Sequence, residues 1–215
     1  MVKVKICGFM NPVDAKVACE LGADMIGVIV EIRGSNRSIT IEQARKILAA
    51  ASKVVKVAVI MPNCLEDVAR VAHELKPDYL QIHSNFTAEQ LEKLKELAGA
   101  KIIGVVTIPQ KISDEGAILN RASEVSEAAD YVLLDTKGPA GGGTGLTHDW
   151  NFSRKIRETL DKPVFLAGGL NPANVREAIK VVRPHGVDVA SGVESSPGKK
   201  DPKLMRAFIK AARGM

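Results

Sequence analysis

One feature of this chain constrains its fold more than any other: short β-branched, apolar runs alternate with amphipathic helical stretches eight times from end to end. The runs read as strands at Val2–Cys7, Met25–Val30, Val54–Ile60, Tyr79–Ile82, Lys101–Val106, Tyr131–Leu134, Val164–Ala167 and Val187–Ala190. Helices are expected to start at Asn11–Pro12 and to cover Ile41–Ala51, Leu65–Leu75, Ala88–Leu97, Ser113–Ala128, Asp149–Thr159, Asn171–Val181 and Pro202–Ala212. Asn11, Thr40 and Thr87 suit N-caps, and Gly22 suits a C-cap. A run as apolar as Met25–Val30 is what a strand buried on both faces requires. Strands alternating with helices imply a parallel sheet with right-handed crossovers, and eight such units imply a closed (β/α)₈ TIM barrel. An open doubly wound sheet would more often carry G-x-G-x-x-G after its first strand, whereas this chain has Cys7-Gly8-Phe9-Met10-Asn11 there. With no linker or low-complexity segment, residues 1–215 read as a single domain.

Composition narrows the class. A hydrophobic fraction of 46% suits a globular chain, and no apolar run approaches the roughly 20 residues that span a bilayer. The N-terminus starts directly as a strand, without the apolar core of a signal peptide, so a soluble, cytoplasmic protein is expected. The net charge of +5 is scattered along helices, and aromatic residues make up only 4%. That disfavours nucleic acid as a partner and is compatible with a small anionic metabolite. Cys7, Cys19 and Cys64 match no zinc spacing and are expected as free thiols. No set of His, Asp and Glu has metal-ligand spacing, so no metal is expected.

In a barrel of this kind the site forms where the strands end. Cys7 ends the first strand, Gln81 and His83 the fourth, and Asp135 the sixth. Gly168 and Gly169 follow the seventh, Asp188 lies in the eighth, and Ser191 and Gly192 follow it. The two glycine-bearing turns, on adjacent strands, suit a phosphate held by backbone N–H groups. The long segment after the sixth strand contains Gly142, Gly143, Thr144 and Gly145, and reads as either a lid or a linker. Cys7 is either a small buried hydrophobe or a thiolate base. Asp135 is either a structural cap or a general acid raised by burial. Arg37, in the long segment after the second strand, is either a solvated charge or a bidentate carboxylate partner. His83 is either a satisfied strand-end histidine or part of the site.

Taken together, Lys5-Ile6-Cys7-Gly8, Leu133-Leu134-Asp135-Thr136, Gly142-Gly143-Thr144-Gly145 with Asp149-Trp150, Leu166-Ala167-Gly168-Gly169-Leu170 and Ser191-Gly192-Val193-Glu194 resemble the phosphoribosylanthranilate isomerase family. The resemblance covers nearly the whole chain. It implies an Amadori rearrangement of N-(5-phosphoribosyl)anthranilate in tryptophan biosynthesis, with no cofactor and with a phosphosugar as the small-molecule partner. It implies Cys7 as general base, Asp135 as general acid, Arg37 near the anthranilate carboxylate, and phosphate at Gly168-Gly169 and Ser191-Gly192. Gln81, His83 and Asp188 complete the expected substrate contacts. The sequence departs from the family at Ser35-Asn36-Arg37, where Ser-Pro-Arg is usual, and at His83-Ser84, where His-Gly is usual. Two other readings compete: a metal-dependent phosphosugar epimerase, and a barrel serving only as a scaffold. A monomer and a homodimer are both compatible with the sequence.

Overall fold

The structure is a computed structural model that describes residues 1–136 and 146–214, the side chain of Ala88 excepted. Eight parallel strands form the barrel: β1 (Lys3–Cys7), β2 (Met25–Val30), β3 (Val55–Ile60), β4 (Tyr79–Ile82), β5 (Lys101–Ile108), β6 (Tyr131–Thr136), β7 (Val164–Leu166) and β8 (Gly186–Val189). Each strand pairs with the next, and β1 pairs with both β2 and β8, which closes the ring. The helices between and after them are α1 (Pro12–Glu20), α2 (Ile41–Ala50), α3 (Leu65–Leu75), α4 (Ala88–Ala98), α5 (Glu115–Ala128), α6 (Trp150–Thr159), α7 (Val175–Val182) and α8 (Pro202–Arg213). The expected TIM barrel is therefore the fold found.

Local chemistry explains the boundaries. Asn11 caps α1 by accepting from the Asp14 N–H, while Thr40 and Thr87 form complete capping boxes with Gln43 and Gln90. Two elements differ from the sequence expectation. Strand β6 runs past Leu134, because Thr107 and Ile108 of β5 continue the pairing to Asp135 and Thr136. Asp135, expected at the strand end, is thus followed by one further paired residue. Helix α7 begins at Val175 rather than Asn171, because Asn171 and Asn174 fold the intervening residues into side-chain-bonded turns.

Period-2 alternation gives the barrel wall two cores. Val4 and Ile6 of β1 face the helices, whereas Cys7 faces inward with Val57, Val59, Ile103, Val105, Leu133 and Phe165. At the N-terminal mouth, three aspartates that directly precede β2, β4 and β6 fasten the strand before them. Asp24 accepts from the Val4 N–H at 2.9 Å, Asp78 from Lys56 at 2.8 Å, and Asp130 from Ile102 at 2.8 Å. The carboxylates satisfy N–H groups at the strand starts and hold the ring to register.

At the C-terminal mouth, two short pairings shape the connections. Ser38–Ile39 pairs with Ile29 and Val30 of β2, which folds the segment after β2 back onto the barrel. After β8, a 3₁₀ turn at Ser191–Val193 leads to an antiparallel pair, Glu194–Ser196 with Lys199–Lys200.

Candidate active site

A cavity of about 570 Å³ opens at the C-terminal mouth. Cys7, Arg37, Gln81, His83, Asp135, Asp188, Gly168, Gly169 and Ser191 all border it, so the structure brings nearly the whole predicted set together. Gly192 stands behind this wall. A Cβ on it would strike the Leu170 carbonyl, so its glycine answers to close packing of the two loops. Gly142, Gly143, Thr144 and Gly145 lie outside the described residues.

Cys7 is buried at the end of β1, opposite Gly27 of β2. A Cβ at Gly27 would sit 2.7 Å from the Cys7 sulfur, so the missing side chain makes room for the thiol. Burial pushes the Cys7 thiol up, and the Lys5 and Lys200 ammonium groups pull against that shift. Across the mouth, Asp135 is raised to about 7 by burial first and by the Asp188 carboxylate second. The Thr136 N–H, donating to Asp135 Oδ1 at 2.9 Å, lowers it only partly. Asp135 can therefore carry and release a proton near neutral pH.

Asp188 accepts from Lys5 Nζ at 2.8 Å through Oδ2, while its buried Oδ1 has no partner among the described residues. Gln81 Nε2 lies 3.1 Å from His83 Nε2, and Gln81 Oε1 is similarly without a partner. Burial and the nearby Lys5 hold His83 down at about 4, so it is a neutral ring with hydrogen-bonding capacity. Two buried acceptors bordering a cavity are suited to hydroxyl or N–H donors on a ligand.

Arg37 is fixed by Glu194, with Nε to Oε1 at 2.8 Å and Nη2 to Oε2 at 2.7 Å. Glu194 also accepts from Lys200 Nζ at 2.7 Å, and Lys200 donates to the Ala190 carbonyl at 3.0 Å. Burial alone would raise Glu194, but Arg37 and Lys200 hold it below its ordinary range. This half-closed fork leaves the far edge of the guanidinium for another acceptor. Glu194, Lys200 and Lys5 were not singled out as site residues in the sequence. Lysines at inward positions, Lys5 in β1 and Lys200 before α8, were the available signal.

Gly168 and Gly169 have φ of +83° and +66°. Side chains there would strike Thr136 and the Leu146 backbone, so the loop after β7 lies against both described ends of the segment after β6. That junction is braced by a buried chain, Thr136 Oγ1 to His148 Nδ1 at 2.7 Å and His148 Nε2 to Ser153 Oγ at 2.6 Å. Burial keeps His148 at about 4 and hence uncharged. Asn174 Nδ2 donates to the Gly169 carbonyl at 3.0 Å and fixes the turn from its other side.

Among the described residues, no group of three or more His, Cys, Asp or Glu side chains is arranged to hold a metal ion. None of the described helices is long and apolar enough to cross a membrane. The described cysteines are free thiols.

Known proteins resemble the chain over nearly its whole length. The family model of N-(5′phosphoribosyl)anthranilate (PRA) isomerase matches residues 4–211. An N-(5′-phosphoribosyl)anthranilate isomerase of Methanocella arvoryzae is 40% identical over 215 residues, covering 99% of each chain. A structure of monomers generated from the dimeric enzyme of Thermotoga maritima superposes with a TM-score of 0.86 at 37% identity, covering 100% of both chains. A phosphoribosyl anthranilate isomerase in complex with reduced 1-(o-carboxyphenylamino)-1-deoxyribulose 5-phosphate superposes with a TM-score of 0.84 at 36% identity, again over 100% of both. The chain belongs to the N-(5′-phosphoribosyl)anthranilate isomerase family.

Proposed function

We infer that this protein is a phosphoribosylanthranilate isomerase of tryptophan biosynthesis, with the barrel of residues 1–215 as its catalytic unit. The observation that carries the reading is the pair Cys7 and Asp135, on strands three steps apart in the ring, facing one cavity. The Asp135 carboxyl gives its proton to the furanose oxygen of the substrate. The C1′–O bond breaks as the anthranilate nitrogen lone pair forms a C1′=N bond, leaving a protonated Schiff base. That cation acidifies the C2′ proton, which the Cys7 thiolate removes, and the electron pair forms an enolamine. Tautomerisation to the aminoketone completes an isomerisation that needs no redox partner.

The two groups have matched requirements. An acid near 7 is both populated and ready to give up its proton, and positioned transfer supplies about 10²–10⁴-fold per group. A thiol raised by burial yields a stronger base once ionised. The free edge of Arg37 takes the anthranilate carboxylate, and the turns at Gly168-Gly169 and Ser191-Gly192 take the phosphate. Gln81, His83 and Asp188 receive the sugar hydroxyls. No cofactor is required by this scheme. The chain acts as a monomer or a homodimer, a reading supported by the dimeric Thermotoga relative.

The test is the decay of substrate fluorescence with freshly made phosphoribosylanthranilate. Turnover well above the spontaneous rearrangement is expected, and a rate equal to it would refute the assignment.

A further inference from the structure

Lys5 takes no part in the proton transfers above, yet it is 0% exposed inside the barrel, below the cavity lining. It lies two residues before Cys7 on β1, and residues two apart on a strand share a face, so both side chains enter the barrel. Its partner in register on β8 is Asp188, which accepts from Nζ at 2.8 Å. A buried ion pair of this kind is seldom more stabilising than an apolar pair of the same size. A stability role alone therefore explains it poorly, and its position beside the thiol suggests another. We propose that Lys5 is a positioning residue whose ammonium, held in place by Asp188, is the counter-ion of the Cys7 thiolate.

The surrounding charges support this choice. Cys7 is faced by Lys5 on its own strand, Asp188 on β8, Lys200 beyond β8, and Arg37 from the segment after β2. Arg37 and Lys200 are both engaged by Glu194, so much of their charge is already balanced. Lys5 has only Asp188, which also faces Asp135 and has an oxygen free of any described partner. From the other side, His83 and Asp135 face Lys5 across the mouth, the first neutral and the second partly protonated. Of the charged groups around Cys7, Lys5 opposes the effect of burial most strongly.

This inference rests on Cys7 acting as a base, but its test does not depend on turnover. In a background where Cys19 and Cys64, both outside the site, are replaced by serine, the rate of Cys7 alkylation by iodoacetamide is followed between about pH 6 and pH 11. The Lys5→Met variant is expected to move the midpoint upward by about one pH unit or more, slowing alkylation near neutrality about tenfold. Because Lys5→Met leaves Asp188 unpaired, the neutral pair Lys5→Gln/Asp188→Asn serves as a second variant, with a shift in the same direction expected. A profile superimposable on the parent's in either folded variant overturns the proposal. So does loss of folding in both, which would make the pair structural. Loss of the isomerase reading would show separately, as a Cys7→Ser variant with undiminished turnover.

Discussion

The two mouths of the barrel make an instructive pair. The N-terminal mouth opens onto a cavity of about 1260 Å³, the C-terminal mouth onto one of about 570 Å³. Both are bordered by charged and polar side chains. At the N-terminal mouth those groups serve the fold: Asp24, Asp78 and Asp130 each hold a strand N–H, and Lys3 pairs with Asp24 at 3.1 Å while half exposed. Tyr79 and Tyr131 stack at 5.2 Å with their hydroxyls 3.2 Å apart, and burial together with Tyr131 pushes the Tyr79 phenol well above its ordinary value. It keeps its proton at any physiological pH. At the C-terminal mouth the ionisable groups are buried and crowded, and Asp135 sits near 7. Cavity size does not distinguish the working end. What does is a set of groups whose protons are poised to move.

That contrast can be broken by substitution. The largest effects are expected at the C-terminal mouth, where Cys7→Ser and Asp135→Asn should each lower kcat by at least about 10²-fold with the fold intact. Steady-state rates together with circular dichroism check this, and near-normal turnover in either variant removes that residue from its role.

A second effect concerns stability. Asp135 is near 7 in the folded chain and ordinarily near 4, so the unfolded state ionises first. The parent should therefore lose stability between about pH 4 and pH 7 through this group, and Asp135→Asn should not. At pH 8 the variant is expected to be more stable by about 4 kcal/mol, with the difference vanishing below about pH 4. Urea unfolding at both pH values measures it, and a difference independent of pH contradicts a buried, raised carboxyl.

Arg37→Met should raise KM about tenfold with a smaller change in kcat, since it removes the proposed ground-state contact to the anthranilate carboxylate. An unchanged KM would place that contact elsewhere. The smallest effect is expected at the opposite end. Asp130→Ala should cost about 1 kcal/mol of stability, read by thermal unfolding, and leave kcat/KM essentially at the parent value. A large loss of activity there would erase the division between the mouths.

Much of this arrangement is written in local pattern. The barrel follows from eight alternations, and the site positions follow from strand ends, because both depend on residues near one another in the chain. Helix caps at Asn11, Thr40 and Thr87 were legible for the same reason. The extension of β6 to Thr136 was not, since it depends on Ile108 of β5, a partner chosen only by the closed sheet. The start of α7 was missed because Asn171 and Asn174 bond to each other rather than simply capping a helix. The partners of Lys5 and Arg37 were equally out of reach. Lys5 meets Asp188, and Arg37 meets Glu194, only after distant strands come together. Sequence motifs marked the proposed proton-transfer pair through family resemblance, but the charges around Cys7 and Asp135 are a property of the assembled ring.

The join between β1 and β8 also bears on timing. Lys5 and Cys7 are among the first residues a ribosome completes, and Asp188 lies 183 positions beyond Lys5. Arg37 waits 157 positions for Glu194. A nascent chain that has finished seven strands already carries its thiol, but neither the lysine's carboxylate nor the clamp on the arginine exists. The site is therefore complete only late in synthesis, when the last strand reaches the first, and on the proposed mechanism turnover doubles as a report that the ring has shut.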